Sequence, residues 1–509
     1  MPSATDLIFV ALLAMLVFTS LSVRLLGDAG IGWHIRTGQQ MIASHAVPRV
    51  DLFSSTMNGK PWFAWEWLYD LVVGEMEAHL GLNGVVWLTA VVIASVFAAT
   101  FRLLLLRGSS VCVAVGLLLL AVSASMIHFL ARPHVLSWLF TLGWFWVLDQ
   151  SEVKNQRLIW LLPVSMLLWV NLHGGFLLAF VLLGIFWTSA AWAWFSGSES
   201  NFEDLRLRIE AGRRIGDLTI VGLLTAAATF VNPYGWKLHA HIYSYLSNRF
   251  LMDHIDEFQS PNFHGAAQKC FAGLILIAIV ALAVHRRKVG MTEVLLILFS
   301  VYAGLIASRN IPVSAVLLAL VVGRLLSQGP RLRPAHNPGT RTRRPGFLAR
   351  IEATERSLNG HLWPVVAVIA TLCIAANGGR IASSVLMNAH FNPERMPVEA
   401  VNYLDSHGVS GPVFAPDYWG GYLIYRLHPK MQVAVDDRHD MYGAEFMKSY
   451  LRTIHVEPGW DDFLREHPVA CVLLPKAAPL ATFLTATGGW KSIYADDVAI
   501  AFVRSPENR

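Results

Sequence analysis

Between Asp28 and Asp70 the chain gathers four carboxylates, Asp28, Asp51, Glu66 and Asp70, with His34 and the tryptophans Trp33, Trp62, Trp65 and Trp67. Carboxylates and imidazoles set beside aromatic rings suit general acid/base chemistry on a polar substrate. Short polar groups recur further along. They are Arg132-Pro133-His134, Asn171 with His173-Gly174-Gly175, Asn232-Pro233-Tyr234-Gly235, and Arg309-Asn310. The third is followed by Lys237, His239, His241, Asp256 and Glu257, and Lys60 lies in the first stretch. Arginine binds phosphate through a planar fork of donors, so Arg132 and Arg309 are candidate anion ligands. Plainer readings stand beside these. Asp28 fits an aspartate at a helix exit, Glu66 and Asp70 fit the wet face of a helix, and the two arginines fit side chains snorkelling to lipid headgroups. His239 and His241 are two apart, the wrong spacing for one helical face, which argues against a metal pair.

A membrane-embedded frame must position these residues. The chain has 509 residues, 54% hydrophobic and 15% charged, where a soluble domain carries about 25% charged residues. Apolar runs fall near 8–26, 85–106, 111–130, 134–149, 158–173, 175–195, 216–232, 269–285, 290–308, 311–327 and 362–379. A bilayer core takes about 20 residues of helix, so the reading is a polytopic α-helical membrane protein of about 11 transmembrane helices. With the N-terminus cytoplasmic, inner loops hold 18 Lys and Arg and outer loops 7, as the positive-inside rule requires. The candidate residues then share the extracytoplasmic side. Agreement among separate hairpins weighs more than any one residue, because ionisable groups at helix ends in a bundle are costly. Within the first outer loop (27–84), helices are expected over 33–44 and 62–80, split by Pro48 and an Asn58-Gly59 turn. The second, tryptophan-rich and acidic along one face, is expected to lie in the interface.

Residues 328–361, rich in Arg and Pro, read as a cytoplasmic linker near the end of the transmembrane domain (1–391). From 392 to 509 strand-like segments (412–415, 432–435, 470–474, 491–494, 499–503) alternate with helices (398–406, 444–455, 460–466), which predicts a soluble extracytoplasmic α/β domain. Gly420-Gly421 marks a turn or a close approach there. The basic residues follow topology, so nucleic acid is not an expected partner. No phosphate-loop motif occurs. The four scattered cysteines, Cys112, Cys270, Cys373 and Cys471, support neither a disulfide framework nor a zinc site. The first residues lack the basic region of a cleaved signal.

A first span leads into an outer loop that opens with Asp28 and continues Trp33-His34-Ile35 to Gly38. Gly59-Lys60-Pro61-Trp62-Phe63 and an aromatic, carboxylate-bearing helix come next. This resembles the GT-C superfamily of integral-membrane glycosyltransferases, in its protein mannosyltransferase and aminoarabinose transferase branch. Asp28-Ala29 stands where many relatives have Asp-Glu. The tail, with Tyr418-Trp419-Gly420-Gly421-Tyr422 and Asp436-Asp437-Arg438-His439-Asp440, looks like tails of bacterial membrane proteins grouped with these transferases. The resemblance implies transfer of a sugar from a polyprenyl-phosphate donor to a hydroxyl of a glycan, lipid or protein acceptor at the outer face of a bacterial inner membrane. It implies Asp28 as general base and Glu66 as second carboxylate. Arg132, Arg309, Lys60 and Lys237 would hold the lipid phosphate, and His34 and His173 would bond sugar or phosphate. No metal ligand set is implied by spacing, although a divalent ion would fit if Asp28, Asp51, Glu66 and the outer histidines converged. The rivals are a lipid or glycan transporter or flippase, which needs ionisable groups deep within spans, a polysaccharide polymerase or ligase, and a non-catalytic assembly protein.

Overall fold

The computed structural model describes residues 2–153, 156–197, 202–285, 288–327, 354–355, 357–358 and 361–505. The expected linker over 328–361 lies almost wholly outside them. Each expected apolar run coincides with a helix. Five of these are long and apolar enough to cross a membrane: Trp67–Leu106, Val111–His128, Gly174–Ser196, Ala266–Val284 and Ser308–Ser327. Four shorter apolar helices accompany them: Ala4–Phe18, Gln156–Leu172, Met291–Ile306 and Leu362–Ala376. Helices His134–Val153 and Phe202–Ala228 complete the set.

Burial sorts the helices. Ile311–Ser327 is apolar on all sides and buried along most of its length, so it forms the centre of the bundle. Ala266–Val284 fully buries only Phe271, Leu274, Ala278 and Ala281 and exposes Leu276, Ile279, Val280 and Val284. The Trp67–Leu106 helix has the candidate site at its start. At its other end Arg107 pairs with Asp149, beside an Arg324–Glu293 pair at 2.9 Å and an Arg214–Glu152 pair at 3.3 Å.

The stretch over 27–84 differs from expectation in one respect. Helix Ile31–Ser44 forms where the spacing predicts it, and Gly59 turns the chain with φ 76°. The helix expected over 62–80 begins at Trp67 and continues, through non-helical Gly81, into the span. It does not keep all of its acidic side wet: Asp70 is fully buried. The reason is a glycine seam. A Cβ on Gly38 would lie 1.9 Å from the Asp70 carbonyl oxygen, and one on Gly74 2.8 Å from the Gly38 backbone. The two helices therefore pack backbone to backbone, and Asp70 goes inside while Glu75 and Glu77 stay partly exposed.

The C-terminal part carries a four-stranded sheet: β1 (Val413–Phe414), β2 (Cys471–Pro475), β3 (Trp490–Ala495) and β4 (Ala499–Arg504), in the order β1-β2-β4-β3. β1 and β2 are parallel and the other pairs antiparallel. Residues 432–435, expected as a strand, give only single bridges from Val433 to Val413 and to Ser54. The second bridge carries the sheet onto the first outer loop. Ser55 N–H donates to the Val433 carbonyl at 2.8 Å, and Thr56 Oγ1 to the Ala434 carbonyl at 2.7 Å. Helix Asp417–Leu427 forms where local propensity argues against one, since two glycines at its centre disfavour it. Packing stabilises it instead: Cβ atoms on Gly32 and Gly421 would meet the backbone of Gly421 and Ala29 at 2.2 and 2.3 Å.

Candidate active site

Three charged side chains from distant parts of the chain meet where that glycine contact presses the C-terminal helix on the first outer loop. Arg132, on the hairpin after helix Val111–Ser125, donates from Nη1 to Asp28 Oδ2 at 2.9 Å. Its Nη2 lies 3.6 Å from Asp437 Oδ2. Asp28 Oδ1 accepts the Gly30 N–H at 2.7 Å, and Asp437 Oδ1 accepts the Trp33 indole N–H at 3.0 Å. Gly30 is required by this crowding, because a Cβ there would sit 2.5 Å from Asp437 Oδ2 and 3.0 Å from Asp28 Oδ1. Burial works against the Arg132 charge, but Asp28 and Asp437 outweigh it and raise its pKa.

A second cluster surrounds Glu66, the residue before helix Trp67–Leu106. Glu66 faces two imidazoles: His173 Nε2 at 3.5 Å and His34 Nε2 at 3.8 Å. The backbone decides the tautomer of His173. Its Nδ1 accepts the Gly175 N–H at 3.0 Å, so the ring proton is on Nε2 and points at Glu66. Ser137 Oγ also bonds that Nδ1, at 2.7 Å, and accepts the Trp169 indole N–H at 2.8 Å. His34 lies 3.6 Å from the Trp33 ring in a stack, and its Nδ1 is 2.5 Å from Asp70 Oδ1. Burial, then Arg132, holds His34 well below the usual imidazole range. His34 Nδ1 thus shares a proton with Asp70, and its Nε2 faces Glu66. Burial pushes Glu66 up to about 8, so at neutral pH it is a carboxylic acid. The buried atoms His34 Nε2, Asp70 Oδ2 and the Tyr69 hydroxyl have no hydrogen-bond partner among the described residues. Polar atoms left open in this way mark a place for water or substrate.

Further pairs border the two clusters. Arg309 Nη1 is 3.3 Å from Glu257 and its guanidinium lies over the Phe258 ring. Against burial, Arg309 and Arg132 hold Glu257 low, at about 2. His241 Nε2 is 2.9 Å from Asp440. Against its burial, the charges of Arg132 and Arg309 pull Glu66 down, while those of Asp440 and Glu257 add to the rise. Lys60 and Lys237 are exposed, and among the described residues neither side chain forms an ion pair. The structure thus joins Asp28 to Arg132 and sets His34 and His173 against Glu66, with Trp33 and His34 neighbours on one helix; Arg309 pairs with Glu257, and the two lysines pair with none of these. His239 turns away from His241, to Thr229 at 2.9 Å.

The frame is polar and buried. Arg438 pairs with Asp51 at 2.8 Å and, by two bonds, with Asp436, and lies over Trp62. Asp51 is thereby committed to structure, not to a metal. The Tyr234 hydroxyl donates to the Pro48 carbonyl at 3.0 Å and accepts the Ala64 N–H at 2.8 Å. Asn171 Oδ1 accepts the Trp67 indole N–H at 2.8 Å. Sequence reasoning misses Asp437 as a site residue. Its signal is the run of five consecutive ionisable residues from Asp436 to Asp440. Among the described residues no three His, Cys, Asp or Glu side chains are grouped to hold a metal ion.

This helical frame, with an α/β domain folded onto its first long loop, has likenesses among solved structures. Two solved structures show the likeness. Archaeal oligosaccharyltransferase AglB from Archaeoglobus fulgidus, in complex with an inhibitory peptide and a dolichol-phosphate, superposes with a TM-score of 0.52 at 12% identity, over 99% of this chain and 74% of that one. ArnT from Cupriavidus metallidurans, bound to undecaprenyl phosphate, superposes with a TM-score of 0.50 at 13% identity, over 99% and 98% of the two chains. At these identities the likeness is one of fold. By sequence, the chain matches no family model and no curated protein.

Proposed function

We propose that the chain is a multi-pass membrane glycosyltransferase that moves a sugar from a polyprenyl-phosphate donor to an acceptor hydroxyl at the extracytoplasmic face. In this reading the chain crosses a bacterial inner membrane about eleven times, with a cytoplasmic N-terminus and residues 392–509 outside. The observation that carries it is the pair of charged clusters, Asp28–Arg132–Asp437 and Glu66–His34–His173, drawn from well-separated parts of the chain and linked through neighbouring Trp33 and His34. A transporter would want such groups in the middle of its spans; here they cap helix ends. Both solved structures named above were obtained with polyprenyl phosphates bound, which supports a lipid phosphate as the ligand of the arginines.

In the reaction, Asp28 takes the proton of the acceptor hydroxyl as its oxygen attacks the anomeric carbon. The bond from that carbon to the phosphate oxygen breaks, and the electron pair leaves on the lipid phosphate. Arg132 and Arg309 stabilise the charge that develops there. Glu66, with His34 and His173, offers hydrogen bonds to the sugar or acceptor.

The test offers full-length protein in lipid nanodiscs a panel of undecaprenyl-phosphate hexoses and pentoses and measures released undecaprenyl phosphate. Asp28→Asn is expected to lower release by about 10²–10⁴-fold, the usual contribution of a positioned base. Release within a few-fold of wild type removes Asp28 from that role. A wild-type protein that consumes none of the donors overturns the assignment.

A further inference from the structure

Arg132 uses its two ends unequally. Nη1 makes a full hydrogen bond to Asp28, at 2.9 Å, whereas Nη2 stands 3.6 Å from Asp437, beyond hydrogen-bond reach. Arg132 and Asp28 are each about one quarter exposed, so the site is open to a ligand on this side. The Nη2 edge is therefore where a phosphate oxygen can bond. A phosphate placed there sits against the carboxylate of Asp437, which the Trp33 indole holds in place. Like charges at that separation repel strongly away from water.

We propose that a lipid phosphate binding to the free edge of Arg132 makes Asp437 take up one proton, so that the C-terminal domain renders donor binding proton-linked. This rests on the lipid-phosphate reading above and adds the residue through which the outer domain acts on it. The charged and titratable groups facing Asp437 are Arg132 and Asp28 from the membrane part, and Asp436 and His439 from its own segment. Asp437 is better suited than Asp28 to accept the proton. Asp28 is already engaged by two firm bonds, from Gly30 N–H and Arg132 Nη1. Asp437 receives one, from a neutral indole. Burial pushes Asp437 up to about 7; Arg132 opposes this, while Asp28 and Asp436 add to it.

The experiment measures equilibrium binding of radiolabelled undecaprenyl phosphate to the full chain in nanodiscs from about pH 6 to about pH 9. One linked proton weakens binding by up to about tenfold per pH unit above the pKa of the group that takes it up. The lipid's own phosphate titration is common to all variants and cancels in the difference. Asp437→Asn, which keeps an acceptor for the Trp33 indole, is expected to lose that slope relative to wild type and to bind more tightly at high pH. Asp28→Asn is expected to keep the slope. An Asp437→Asn protein as steep as wild type overturns the proposal, and so does a slope lost in Asp28→Asn instead. Should Asp437→Asn fail to fold, calorimetry of wild-type binding in buffers of different ionisation enthalpy counts the protons directly, and none taken up near pH 8 overturns it. A wild-type chain that binds no undecaprenyl phosphate at any pH defeats the lipid-phosphate reading itself, a separate failure from a pH-independent affinity.

Discussion

The contact between Gly32 and Gly421 is where the fold governs the chemistry, and Gly421→Ala tests it. A Cβ on Gly421 would lie 2.3 Å from the Ala29 carbonyl oxygen, 2.7 Å from its carbon and 2.9 Å from Gly30 Cα. All three are backbone atoms and none can rotate aside. To restore ordinary contact the Asp417–Leu427 helix must retreat by about an ångström, and overpacking of this kind costs about 1–3 kcal/mol. The same retreat draws Asp437 from Trp33 and Arg132, because the Gly420 backbone packs directly on Asp436, the residue before it. A misplacement of about an ångström lowers turnover by about 10²-fold. Intrinsic-fluorescence melting in nanodiscs reads the first effect, and release of undecaprenyl phosphate from donor reads the second. Gly222→Ala is the control: its Cβ meets nothing within 4 Å, and alanine favours the helix by about 1 kcal/mol. A Gly421→Ala protein that melts and turns over as wild type does, or a control equally damaged, would refute the view that this seam sets the site.

Glu66→Gln probes the buried acid. Its folded-state pKa of about 8 lies above the ordinary value of 4.5, so the folded protein holds a proton that the unfolded chain releases. Wild-type stability on this account falls as pH rises from about 5 to about 8, and Glu66→Gln is expected to flatten that part of the melting-temperature profile. Unchanged steepness in the variant would count against the assignment. Arg438→Met leaves Asp51 and Asp436 buried without their cation, a loss of about 3–5 kcal/mol. It is expected to give a markedly lower melting temperature and loss of the first-loop structure, read by limited proteolysis. Equal protease resistance in the variant and wild type would show that the ion triad does not join the two parts.

How far the sequence can be read depends on the range of the interaction responsible. The apolar runs announce their helices because hydrophobicity is a property of each segment alone. Helices Val398–Ser406 and Ala444–His455 likewise follow from local periodicity. The membrane-side groups are legible as candidates because topology alone places hairpin ends on one face. The fate of Asp70 is not. A carboxylate on an amphipathic helix reads as solvated, and only the glycine seam with Ile31–Ser44, a pairing of two helices, turns it inward against His34. Helix Asp417–Leu427 is hidden for the same reason, since its glycines argue against a helix locally and for one only once Ala29 and Gly30 lie across them. Asp437 is the strongest case, because its partners Trp33 and Arg132 lie far earlier in the chain and no spacing rule connects them. The residues invisible to the sequence are therefore those at the junction of the outer domain with the first loop. That junction also holds two carboxylates on one arginine, so the C-terminal part supplies a member of the charged cluster and is not an appendage to it.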